Sequence, residues 1–315
     1  MPDLLSLSKM TPASCNMKFT LLITFAMLAA SSALSLRRRL LSGAKSYGPV
    51  CMSDSPVVAE LLASAGYGHL VIDHEHGPTD SSSGQALLQA VDAARGRRTA
   101  RLQGLSGDHP TEPIVRVPDH DAAYMKKVLD SMRLPGGVLV PMVEDATAAE
   151  RAVAATRYPR QVDEPADSVD GVRGCAFPFV RASGYGTDPD YMARCREELL
   201  VMVQVESARG VESIPEIASV PGVDAVFLGP FDLSCSIGKA GRFDDQEVRD
   251  LISAAERAVL ESGECMLAGF GPAGGGRGRC LKTATASSAG RWTLDCCRRP
   301  RGGILRRPLG VLTLP

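Results

Sequence analysis

The sequence predicts an α/β fold, a TIM-type (β/α)8 barrel whose eighth βα unit is doubtful or missing. Three observations predict it. Seven strand-like apolar runs alternate with helical stretches from Tyr47 to Phe270. The runs are apolar on both faces, as buried parallel strands are. Polar or charged signatures follow directly after several of them, where a βα-barrel assembles its active site.

The elements read in order. Pro49–Ser53 is a weak first strand, and Ser55–Ala65 a helix capped by Ser53 or Asp54. His69–Asp73 is the second strand, followed by a helix over Gly84–Ala94. Residues Arg95–Thr111 read as a polar insertion before the third strand, Pro113–Val117. The helix Asp121–Met132 carries Met125, Val128 and Leu129 on one face. Strand four is Gly137–Val143, with its helix at Ala146–Thr156. A Gly/Pro/Arg-containing excursion, Tyr158–Tyr185, precedes a helix near Pro189–Glu198. Strand five, Leu199–Glu206, leads to a helix at Val211–Ser219; strand six, Asp224–Leu228, to a helix at Asp245–Ser262. Strand seven is Cys265–Phe270, and there the rhythm stops.

Three regions follow. Residues 1–43 are an N-terminal targeting segment, 44–272 the barrel, and 273–315 an atypical Arg/Gly/Cys-rich tail whose composition suits poor order. In the first region Phe19–Ala30 is a short apolar run, followed by small residues and Arg37-Arg38-Arg39. That pattern suits a signal peptide or an organelle transit peptide, for mitochondrion, plastid or the secretory route, with a membrane anchor as a third reading. The glycine run Gly271–Gly278 lacks the Gly-Lys-Ser/Thr of a phosphate loop.

The chain of 315 residues is 44% hydrophobic with a net charge of −1, so nothing electrostatic favours nucleic acid or an anionic membrane. A small substrate is expected. The nine cysteines form no C-x-x-C pair, which argues for free thiols in a reducing compartment.

Glu206 and Asp232, at the ends of strands five and six, are expected metal ligands: two carboxylates make a hard-oxygen site for Mg2+ or Mn2+, with Co2+ a third candidate. A 2-oxo acid would complete the coordination, and the cation would stabilise an enolate as a neighbouring carbon–carbon bond breaks. The other reading is that these carboxylates only cap helices. Arg116 ends strand three, where its planar fork would grip a substrate carboxylate or form a salt bridge to Asp73 or Glu75. His76 is the expected general base, fixed by the Gly77-Pro78 turn and oriented by Asp73, Glu75 or Asp130; a purely structural histidine is the alternative. His74 is given no role. Gln204 shares the interior face with Glu206 and would bond a ligand or an acidic neighbour. In the segment Gly229-Pro230-Phe231, also expected to bind substrate, the glycine permits close approach and the amides could hold a substrate carboxylate.

Together these stretches resemble the HpcH/HpaI aldolase/citrate lyase family, in particular the class II metal-dependent aldolases of 2-oxo-4-hydroxy acids, such as 4-hydroxy-2-oxoheptanedioate or 2-keto-3-deoxy-sugar-acid aldolases. The resemblance rests on Gly66–Pro78, Ile114–Met142, Asp145–Pro159, Gly171–Gly174, Val203–Val211 and Val220–Gly238, in that order. It implies a lyase that cleaves its substrate reversibly to pyruvate and an aldehyde. It also implies a divalent metal on Glu206 and Asp232, a pyruvyl-binding Arg116, and Gln204 lining the site. His76 would be the acid/base, polarised by Asp130 from a neighbouring subunit of a homo-oligomer whose assembly needs an intact C-terminus. The alternatives are a citrate-lyase-like acyl-CoA lyase and a non-catalytic homologue with a defective barrel.

Overall fold

The parallel strands are short and alternate their side chains between two apolar layers, and the barrel follows from that alternation. The computed structural model describes residues 35–96, 109–160, 169–270 and, for the backbone alone, 291–295. The leader before Ser35, most of the polar insertion, the glycine run and the remainder of the tail lie outside the described residues.

Seven strands pair in parallel in chain order: β1 (Ser46–Cys51), β2 (His69–Asp73), β3 (Glu112–Arg116), β4 (Gly136–Val140), β5 (Leu199–Val205), β6 (Ala225–Leu228) and β7 (Met266–Phe270). Helices cover the sheet: α1 (Leu36–Leu41), α2 (Pro56–Ser64), α3 (Ser81–Gly96), α4 (Ala122–Ser131), α5 (Ala146–Thr156), α6 (Tyr191–Glu198), α7 (Ala208–Glu212), α8 (Ile214–Ser219), α9 (Pro230–Ser236) and α10 (Gln246–Ser262). Helix starts follow local chemistry: Asp121, Asp145, Ser207 and Asp245 each accept a backbone N–H of the first turn. Helix α9 was not legible in the sequence; Gly229 precedes it and Pro230 opens it, a position that suits a residue with no N–H to offer.

An eighth strand, β8 (Arg291–Asp295), is a departure from the sequence reading, which found none. It runs antiparallel to both neighbours, pairing Trp292 with Phe270 of β7 and with Gly48 of β1, and so closes the ring. An antiparallel return differs from the right-handed helical crossover that a parallel eighth βα unit needs. That parallel unit is absent among the described residues.

Outside the barrel, Leu70, Ile72, Val115, Val201, Val203 and Val226 pack against the helices; inside it, Val71, Ile114, Leu139, Leu200, Met202 and Phe227 form a second cluster. Period-two alternation carries this inner face upward, so Asp73, Arg116 and Gln204 point into the barrel at its C-terminal mouth, with Glu206 just beyond β5.

At the opposite end α1 plugs the barrel. Leu36 and Leu40 join the interior cluster. Arg39 donates to Glu112 at 3.0 Å, which also accepts the Leu36 N–H at 2.7 Å. Arg37 pairs with Asp224 at 2.9 Å, and Arg38 with Glu197. The boundary expected at residue 43 is therefore corrected: the arginine run is folded into the barrel base, because three carboxylates there neutralise it. Nearby, burial pushes the His69 imidazole down to about 3, aided by the Arg39 charge, so the ring bonded to Ser46 at 2.8 Å is neutral. Cys51, Cys175, Cys195, Cys235 and Cys265 are free thiols. No helix among the described residues is long and apolar enough to cross a membrane.

Candidate active site

The mouth is built around Arg116. Its Nε and Nη2 donate to the two oxygens of Asp73 at 2.8 and 2.7 Å, a bidentate pair in which Asp73 is fully buried. Burial alone would raise the Asp73 carboxyl, but the Arg116 bonds and charge hold it below the usual carboxylate range. The same carboxylate accepts the backbone N–H of Glu75 at 3.1 Å and of His76 at 3.4 Å, shaping the turn after β2. Of the two readings of Arg116, the salt bridge is present; its placement at the mouth keeps it beside whatever binds there.

Glu206 lies across the mouth, accepting the Met142 N–H at 2.7 Å and a bond from the Gln204 amide. Its carboxyl is pushed up to about 7: burial is the main cause, and the charges of Glu75 and Asp232 add to it against those two hydrogen bonds. Glu75 is likewise raised to about 6 by burial, opposed by Arg116 and assisted by Asp73 and Asp232. Glu75, paired with Arg116 at 3.0 Å, and buried Glu206 thus each feel the charge of the exposed Asp232, and Gln204 Oε1 is buried with no hydrogen-bond partner. A cation would relieve this repulsion and occupy the orphaned oxygen, so the residues present fit a divalent metal. Among the described residues no three His, Cys, Asp or Glu side chains have ligating geometry on their own. A cation held by Glu206 and Asp232 would take its remaining oxygens from water and substrate.

His76 is brought to the site and stays exposed, its Nε2 3.6 Å from Glu75 Oε2. Of the three carboxylates offered as its orienter, only Glu75 stands beside the ring within one protomer. The Asp73 carboxylate is spent on Arg116 and on backbone amides rather than on the imidazole. Asp130, on α4, bonds Arg173 at 2.7 Å, and Arg173 in turn stacks on Tyr158 and meets the Tyr191 hydroxyl at 3.0 Å. Within one protomer, then, Asp130 is held by a guanidinium and not by His76. Glu75 is the carboxylate beside the ring, and its mouth-facing role as a third acid was the main thing the sequence did not reveal. Met142, held at φ 54° while its amide bonds Glu206, gave no sequence signal at all.

The Gly229-Pro230 pair also differs from expectation. The Gly229 N–H bonds Val205 O at 3.2 Å and proline has none, so these two amides cannot hold a substrate carboxylate. The glycine matters for space instead: a Cβ there would lie 2.6 Å from Glu206 Oε2. Pro230 is buried, while Phe231 is exposed with its ring edge-on to Phe243 at 4.9 Å. His74, unassigned by the sequence, bonds the Tyr124 hydroxyl at 2.9 Å, and burial lowers it to about 4, which makes it a neutral strut behind the turn.

Residues 50–270 match the HpcH/HpaI aldolase/citrate lyase family. A hydroxypyruvate/pyruvate aldolase of Paraburkholderia phytofirmans is 39% identical over 213 residues, covering 66% of this chain and 74% of the relative. A 4-hydroxy-2-oxo-heptane-1,7-dioate aldolase of Escherichia coli is 35% identical over 230 residues, 73% of this chain and 78% of the relative. Among solved structures, a family protein from Burkholderia cenocepacia superposes with a TM-score of 0.62 at 36% identity, covering 74% of this chain and 82% of its own.

Proposed function

Because this chain belongs to the HpcH/HpaI aldolase/citrate lyase family and is a carbon–carbon lyase of the pyruvate-aldolase type, we propose that it reversibly cleaves a 2-oxo-4-hydroxy acid to pyruvate and an aldehyde. The observation that carries this is the buried Asp73–Arg116 pair at the barrel mouth, with Glu206 and the orphaned Gln204 Oε1 at the end of β5. Glu206 and Asp232 would hold Mg2+ or Mn2+, with Gln204 Oε1 beside it. When bound, the cation supplies Lewis acidity toward the 2-oxo group.

The chain's own residues do the rest. Arg116, fixed by Asp73, presents its remaining N–H donors to the pyruvyl carboxylate. His76 takes the proton from the 4-hydroxyl; the C3–C4 bond breaks, its electron pair enters the pyruvate enolate, and C4 leaves as the aldehyde. The enolate carbon then takes a proton to give pyruvate. Asp130 enters this scheme from a second copy of the chain: the Arg173 that holds it follows the exposed Val172, in a segment whose Phe179 and Tyr185 are also exposed, apolar surface suited to a homo-oligomer. The ring as a whole reads as a TIM-type barrel with a reversed eighth strand. An address to an organelle or the secretory route belongs to the residues before Ser35, and a fluorescent-protein fusion tests it.

Pyruvate release from 4-hydroxy-2-oxo acids, followed through lactate dehydrogenase with and without EDTA, tests the reading. Metal-dependent release is expected; acetyl-CoA and glyoxylate from malyl-CoA, with no pyruvate from the oxo acids, would favour the acyl-CoA lyase instead, and no product from either substrate the non-catalytic homologue.

A further inference from the structure

We infer that Met142 is a positioning residue for the metal site: its main chain, held in the left-handed region, directs an amide at Glu206 and fixes how that carboxylate meets a cation. The inference rests on Glu206 being a metal ligand, as in the function proposed above, and adds the group that sets the ligand's direction.

Met142 stands two residues beyond β4, between buried Pro141 and buried Val143, with φ at 54°. A residue with a Cβ enters this region at a cost, steepest for side chains branched at Cβ. Burial of the thioether does not offset that cost, because the side chain is half exposed. Two hydrogen bonds to the end of β5 do. The Val143 N–H donates to Gln204 O at 3.0 Å, and the Met142 N–H to Glu206 Oε1 at 2.7 Å. Strands β4 and β5 stay in register as far as Val140 and Val203. Beyond them the Met142 amide leaves the ladder for a side chain.

Glu206 is met from three sides. Oε1 accepts the Met142 N–H, and Oε2 accepts from the Gln204 amide. On the third side Gly229 leaves room: a Cβ there would lie 2.6 Å from Oε2 and 2.9 Å from Glu206 Cβ. One donor on each oxygen fixes the plane of the carboxylate and leaves each oxygen a lone pair for a cation. Gln204 belongs to the same strand end as Glu206, so the Met142 bond is the one that ties the ligand to a neighbouring strand. A main-chain donor, unlike a side-chain amide, cannot rotate away. The side chain at 142 therefore counts through the backbone it permits. Glycine adopts this region freely, an unbranched side chain with strain, and valine most reluctantly. A hydrophobic contact would give the opposite order, since valine resembles methionine more than glycine does.

Calorimetric titration of Mn2+ into the full chain tests this, with urea unfolding as the check on folding. Met142→Gly should keep the Mn2+ Kd within about twofold of the parent, while Met142→Val should raise it about tenfold, the loss of one hydrogen bond to a charged group. Equal weakening by the two variants, or none by valine, overturns the positioning role. A second measurement needs no valine variant. Selective 15N-methionine labelling identifies the Met142 amide by its loss in Met142→Gly; Mg2+ is expected to shift that resonance, and an unmoved resonance overturns the inference. Glu206→Gln separates the two levels. Undiminished Mn2+ binding there removes the metal reading and this inference together, whereas binding lost there but unchanged in Met142→Val removes the inference alone.

Discussion

Replacing Asp73 by Asn removes the anion that Arg116 grips with two hydrogen bonds at 2.8 and 2.7 Å. Both partners are buried: the Asp73 side chain is 0% exposed and that of Arg116 7%. Stripping one partner from a buried pair costs about 3–5 kcal/mol, because the remaining charge is left uncompensated. Here Glu75 lies 3.0 Å from the same guanidinium and takes over part of the neutralisation, so the lower end, about 3 kcal/mol at pH 7, is expected. The asparagine amide would still accept the Glu75 and His76 N–H groups, so the turn itself should survive. The folded pKa of Asp73 is depressed, so its contribution is present above the ordinary carboxylate range and fades as pH falls through the folded value. The penalty measured for Asp73→Asn should therefore shrink in acid, not in base. Urea unfolding followed by circular dichroism at pH 7 and again below the ordinary carboxylate value, about pH 3, gives both quantities. A loss under about 1 kcal/mol with unchanged m, or a penalty that grows as pH falls, would refute the buried-pair reasoning.

Other perturbations separate the remaining roles. Glu206→Gln and Asp232→Asn should each abolish metal-dependent pyruvate release and weaken Mn2+ binding in calorimetry, with far-ultraviolet circular dichroism unchanged; undiminished binding would move the metal elsewhere. Arg116→Lys should lower kcat/KM by about a hundredfold, since a point charge cannot reproduce the fork held by Asp73, and a near-normal rate would remove Arg116 from the site. Arg39→Ala should destabilise the fold by about 2–4 kcal/mol by leaving Glu112, 1% exposed, without its guanidinium. Adding Glu112→Gln should recover part of that loss; no recovery would mean the plug is held by packing alone.

Much of the architecture was legible because buried parallel strands announce themselves as short apolar runs, and β2 to β7 lie close to where those runs fall. What the sequence hides is depth and reuse. Leu36, Leu40 and the three arginines look like the exit of a leader, since a local reading cannot know that Glu112, Glu197 and Asp224 wait for them far along the chain. The strand at Arg291–Asp295 alternates polar and apolar residues and so lacks the continuous apolar run by which the parallel strands are recognised. In the candidate site, Arg116, Gln204 and Glu206 drew notice because a polar residue ending an apolar strand is conspicuous, and Asp232 because it follows β6 closely, in the first turn of α9. Glu75 was seen only as a neighbour, because its exposure to two other acids arises from three separate strand ends. Asp73 was left between His76 and Arg116 for a similar reason: the register that sets Asp73 opposite Arg116 is a pairing between strands, invisible along either one.

The basal helix sets a limit on trimming. Cleavage anywhere up to Ser35 would spare the stopper. A cut beyond Leu41 would uncork the barrel floor, expose Met202, Phe227 and their neighbours to water from below, and maroon the Glu112 carboxylate in an apolar shaft. The same three arginines that would advertise a leader to a transport receptor are thus, once the chain has folded, the rivets that hold the base shut.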